Sequence, residues 1–114
     1  MAFRCTMLVG ALLIASGCDR ASSDLATIKT ARSLAAERAL IARLDNAGKL
    51  RRAYSEGMQR AGTKQLLSAH NLLSEPDGEA GQAIGAAAVL PDKAGALHAA
   101  AGYIAAIEAR RENH

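Results

Sequence analysis

Apolar positions along this chain fall first into one unbroken run and then into stripes of helical period. The run, Met7 to Ala15, follows the single charge of Arg4. At about nine residues it has the length of an export signal's apolar core, well short of the roughly 20 residues that a permanent spanning helix needs. From Asp19 to Asn46 there is neither proline nor glycine. Ser22 or Ser23 is placed to cap a helix there, with Asp24 in its first turn, where a carboxylate is favoured by the dipole. About 25 residues at 1.5 Å each make a helix of roughly 37 Å. It carries a stripe of small residues, Ile28-Ala31-Ala35-Ala39-Ala42, and a bulkier one, Leu34-Ile41-Leu44. A helix that is apolar on two sides calls for two neighbours, or for one neighbour and the membrane surface.

Asn46-Ala47-Gly48 is the first candidate break, since Asn and Gly both tolerate the left-handed conformation that ends helices, whereas Asp45 and Lys49 would make a favourable i,i+4 pair in a helix that ran straight through. Lys49 to Gly62 is again helical in pattern, with Leu50, Tyr54, Met58 and Ala61 on one face. Thr63 is a cap for a further helix to Leu73, with Leu66, Ala69, His70 and Leu73 inward. Glu75-Pro76-Asp77-Gly78 is a reversal, because proline presets the first central position of a type I turn and glycine closes it. A short helix from Glu79 to Val89 stops at Leu90-Pro91-Asp92. A last one reaches about Arg111, with Leu97, Ala100, Ile104 and Ile107 as its stripe. No stretch alternates with the period of a strand. The expected fold class is all-α: one long helix packed by two or three shorter helices in a small bundle or hairpin, after an N-terminal signal helix. The expected divisions are a signal at 1–17, a lipidated cysteine and short tether at 18–23, and a helical domain at 24–114 that reverses near 75–78.

The end of the apolar run carries the most specific motif, Ala15-Ser16-Gly17-Cys18. A cysteine preceded by small residues at the end of an export signal resembles the precursors of bacterial lipoproteins. In that family a dedicated peptidase recognises the residues that correspond to Ala15, Ser16 and Gly17. It cuts before the cysteine, whose thiol takes a diacylglycerol and whose new amino group takes an acyl chain such as palmitate. The resemblance implies lipidation at Cys18, a membrane-anchored location on the periplasmic side, and no other cofactor. Asp19 resembles the residue that in enteric bacteria retains a lipoprotein in the inner membrane, the outer membrane being the alternative. Leu is the family's preferred residue where this chain has Ala15. Cys5 departs with the signal, so the remaining chain has no thiol with which to form a disulfide and its fold must stand on packing.

Charge adds an asymmetry. The whole chain is formally +3, but Asp19 to Lys64 holds ten basic and five acidic residues, and Gln65 to His114 three and six. A basic half beside the lipid suits an anionic membrane surface, where each nearby cation is worth about 1 kcal/mol. Arg43, Lys49, Arg51 and Arg52 are the candidate contacts. In the alternative, opposite charges meet when the chain folds back on itself. Much of the apolar content is alanine, which buries little area per residue, so the core is expected to be thin. Nucleic acid is excluded as a partner by compartment and by the scarcity of stacking aromatics.

Candidate chemistry is sparse. His70, His98 and His114 lack a second ligand at helical spacing. There is no nucleophile elbow, and there is no Cys-His pair. Glu75, Asp77 and Glu79 alternate through an exposed turn without the rest of a calcium loop. Gly81 and Gly85 allow close helix packing, internally or between copies. The reading is therefore a non-catalytic, lipid-anchored envelope protein that binds a protein partner. Small lipoproteins of this shape include accessory parts of secretion, conjugation and exclusion systems. A structural lipoprotein that self-associates through its long helix is the alternative, and an enzyme is disfavoured.

Overall fold

The computed structural model describes residues 16–113, with side chains from residue 20 onward. Four helices, and no strand among the described residues, make up the fold: α1 Ser16–Asn46, α2 Arg52–Leu72, α3 Glu79–Val89 and α4 Ala94–Glu112. The apolar run Met7 to Ala15, and with it the expected signal helix, lies outside the described residues.

α1 is the spine. It packs along its length against both α2 and α4, which run antiparallel to it, while α3 lies mainly on α2 and also touches α4. The small-residue stripe explains this closeness. Ile28, Ala31, Ala35, Ala39 and Ala42 are all buried, so neighbouring backbones approach α1 along the whole stripe. Ile41 of the bulkier stripe is buried as well, Leu34 is half-buried beside α2, and Leu44 is half-buried. Leu66, Ile84 and Ile104 fill the centre together with alanines from α3 and α4, and Leu97 forms a smaller cluster with Ala39 and Ala42. This is the thin, alanine-rich core that the composition implies.

The break after Asn46 is present. Gly48 takes φ +71°, a conformation that favours glycine, and its N–H bonds the Asp45 carbonyl at 2.9 Å. The reversal is present too, with the Gly78 N–H donating to the Glu75 carbonyl at 3.0 Å. α3 occupies the bounds expected for it, and α4 ends one residue beyond its expected limit.

Three local expectations need correction. α1 already includes residues 18–23, so neither Ser22 nor Ser23 caps it and the expected tether is helix. Asp24 is not a first-turn residue. It is buried, and its carboxylate accepts from the backbone N–H and the hydroxyl of Ser74 at 3.1 and 2.5 Å. The third correction is the largest. α2 runs unbroken through Gly62 and Thr63, and its inward face is Ser55, Gln59, Gly62, Leu66 and Ala69, continued by Leu73. The expected stripe of Leu50, Tyr54, Met58 and Ala61 points aside, with Tyr54 56% exposed. Because one helix has one phase, the strongly apolar Leu66-Ala69-Leu73 end dictates the face, and two polar residues follow it into the core.

Candidate functional site

One of those two polar residues, Gln59, is buried against Arg38. The Arg38 side chain is 2% exposed and sits where α1, α2 and the α3–α4 turn converge. Nε donates to Gln59 Oε1 at 2.8 Å, Nη1 to the Ala87 carbonyl at 2.8 Å, and Nη2 to the Leu90 carbonyl at 3.1 Å and to Asp92 Oδ1 at 2.9 Å. Gln59 Nε2 returns a bond to the Arg38 carbonyl at 3.0 Å. Every guanidinium nitrogen thus has an acceptor, and the cation lies at the C-terminus of α3, where the helix dipole favours positive charge. Gly62 makes room for it, since a Cβ there would stand 2.8 Å from Arg38 Cγ. This network joins distant parts of the chain and engages every guanidinium nitrogen within the fold, so its role is architectural. Sequence reasoning missed it. The signal was available as an arginine amid the buried stripes of α1, opposite a glutamine.

The two ends of the bundle differ in charge. At the end that holds the start of α1, acidic and basic groups are paired across helices. Lys29 meets Glu112 at 3.2 Å, Arg32 meets Glu108 at 2.5 Å, Arg111 approaches Asp24 at 4.0 Å, and Arg110 pairs with Glu79. The C-terminal helix, which carries Glu108 and Glu112, therefore folds back beside the beginning of α1. This corrects the picture of a basic half next to the anchor and an acidic half away from it.

The opposite end gathers cations from four elements. Arg43 comes from the last turn of α1, Lys49 and Arg51 from the turn after it, Arg52 from the start of α2, and Lys93 from the start of α4. All five are exposed, and none has a carboxylate within 4 Å among the described residues. α2 and α4 both start at this end with Arg51 and Lys93 as N-caps, without a side-chain cap bond and without an acidic residue in the first turn. Cations beside two helix N-termini reinforce the local positive potential. The four basic residues read from the sequence are thus brought together, and Lys93 joins them.

The remaining candidates divide plainly. The backbone of Ser16, Gly17, Cys18 and Asp19 belongs to the first turns of α1. Ala15 and His114 lie outside the described residues. His70 is half-buried, its ring packed on Gly85 and its Nδ1 3.1 Å from Asn71 Oδ1. His98 is exposed on α4, beside Arg43 in a shallow groove. Glu75 and Asp77 are exposed in the reversal, and Glu79 is engaged by Arg110. No group of three or more His, Cys, Asp or Glu side chains among the described residues is arranged to hold a metal ion. Gly81 and Gly85 both serve internal packing: a Cβ on Gly81 would fall 1.8 Å from the Pro76 carbonyl oxygen, and one on Gly85 3.3 Å from the His70 ring. The chain matches no family model, no curated protein and no solved structure.

Proposed function

We propose that this chain is a lipid-anchored protein of the bacterial cell envelope, held on the periplasmic side of a membrane and acting by binding rather than by catalysis. The observation that carries this reading is Ala15-Ser16-Gly17-Cys18 at the end of the apolar run that follows Arg4. The arrangement of α1 agrees with it. The helix takes in Cys18 and enters the bundle at Asp24, so an acyl anchor on that cysteine would hold a folded module close to the bilayer. No helix among the described residues is long and apolar enough to cross a membrane. Attachment through Cys18 supplies a mode of membrane association that needs none, and two acyl chains suffice for a stable hold. Asp19 favours retention in the inner membrane. The partner, on this reading, is a protein of an envelope assembly such as a secretion, conjugation or exclusion system.

Metabolic labelling with a fatty acid tests the reading. The wild-type chain should incorporate label and be processed. Cys18→Ala should incorporate none and accumulate as the longer precursor. Label retained by Cys18→Ala would overturn the proposal.

A further inference from the structure

The position of the unpaired cations is the feature that this function leaves unused. Cys18 lies in the first turn of α1 and Arg43 in its last. The 25 residues of helix between them, at about 1.5 Å each, separate the two by roughly 37 Å. Arg43, Lys49, Arg51, Arg52 and Lys93 therefore form a basic end remote from the anchoring cysteine. Of the acidic groups nearby, Asp92 is already bonded to Arg38. Asp45 and, one turn into α2, Glu56 remain, which leaves this end with an excess of positive charge.

We propose that this basic end is a second membrane contact, which pins the bundle flat against the anionic headgroups of the bilayer in which Cys18 is anchored. The inference rests on the lipid-anchored reading and adds to it an orientation and a lipid chemistry. Three observations select a bilayer over a shaped acidic protein. The cations come from four elements spread over one end of the bundle, where Arg43 borders only a shallow groove, and this spread suits a diffuse array of phosphates. Leu50 and Tyr54 lie among them, half-buried and 56% exposed respectively, and an aromatic among basic residues is a composition suited to the headgroup interface. On α2, Arg60 and Lys64 continue the exposed positive charge toward the anchored end, where Leu67 and Leu72 are 41% and 71% exposed. Each cation near an anionic surface strengthens binding about fivefold. The anchor keeps the basic end close to that surface, so a modest attraction is enough to set the orientation.

Neutron reflectometry on supported bilayers tests the proposal with the chain as recovered from cell membranes. The bundle measures 54 × 33 × 21 Å. On a bilayer containing phosphatidylglycerol at low salt, the protein layer should be about 33 Å thick or less. It should thicken toward 54 Å on pure phosphatidylcholine, at high salt, and for a variant with all five cations replaced by Gln. The salt and lipid comparisons need only the wild-type chain, so the result stands even if the variant folds poorly. A layer of equal thickness under all conditions overturns the proposal. A tall layer on anionic lipid does so too, and leaves the basic end to an acidic protein. Mass spectrometry of the same preparation reports acylation of Cys18, so failure of the anchor and failure of the second contact are read separately.

Discussion

Replacing Arg38 by alanine is the most severe single side-chain truncation that the structure predicts. The substitution leaves Gln59 Oε1 buried without a donor and removes the charged donor of the Ala87 carbonyl, which keeps only the long 3.4 Å bond from the Leu90 N–H. Each orphaned buried acceptor costs about 1–3 kcal/mol. The Leu90 carbonyl and Asp92 lie in less buried surroundings, Asp92 being 55% exposed, so water satisfies them and they add little. Relief of the cation's own desolvation offsets part of the loss, and the gap left between α1 and Gly62 adds to it. The sum is about 3–5 kcal/mol, the range found when a buried ionic network loses one partner. A domain of about a hundred residues has roughly 5–15 kcal/mol of stability in all. With a urea slope of about 1.5 kcal/mol/M, the unfolding midpoint followed by circular dichroism should fall by about 2 M or more. Arg38→Met keeps most of the volume and isolates the polar part. Combined with Gln59→Leu, it should cost about 1–3 kcal/mol less than the two single changes added together, because each single change orphans the other partner. A loss below about 1 kcal/mol for Arg38→Ala, or strict additivity of the pair, would refute the assignment of this network as the joint of the bundle.

Three further outcomes follow from the packing and the ion pairs. Gly81→Ala should destabilise the protein by about 3 kcal/mol, because the new Cβ meets the Pro76 backbone, whereas Gly102→Ala, exposed in α4 with nothing within 4 Å, should stabilise it by about 1 kcal/mol; paired urea titrations check both. A double-mutant cycle on Arg32 and Glu108 should give a coupling of about 1 kcal/mol in dilute buffer that shrinks as salt is added, since the arginine side chain is 41% exposed.

What the sequence made legible was whatever a single helix decides for itself. The stripe from Ile28 to Ala42 needed no knowledge of its neighbours, because small residues at helical spacing bury themselves against whatever arrives. The bounds of α3 followed from Pro76 and Pro91, and the break before α2 from Gly48. The inward face of α2 was not legible in the same way. Read alone, Tyr54 and Met58 are the better core residues and Ser55 and Gln59 the better surface. The order inverts once Leu66, Ala69 and Leu73 fix the phase and Arg38, contributed by another helix, requires a polar partner at Gln59. Hydropathy within one element carries no information about an arginine on the next.

The basic end shows the same limit from the side of function. Arg43, Lys49, Arg51 and Arg52 are close in the chain and were visible as a group. Lys93 becomes their neighbour only because α4 runs antiparallel to α1 and begins beside its last turn. Arg38 helps to fix that turn, since its guanidinium holds the Leu90 carbonyl and Asp92 immediately before Lys93. Distance from Cys18 is likewise a property of the helix and not of the charge count. A sum over the first half of the chain placed positive charge beside the anchor. An unbroken α1 carries that charge to the far end, while α4 returns with Glu108 and Glu112 to meet Arg32 and Lys29 near the start. The buried arginine and the exposed cations are therefore coupled. Loosening the Arg38 joint should release the α3–α4 turn that carries Lys93, and with the bond to Gln59 it should also loosen α2 against α1.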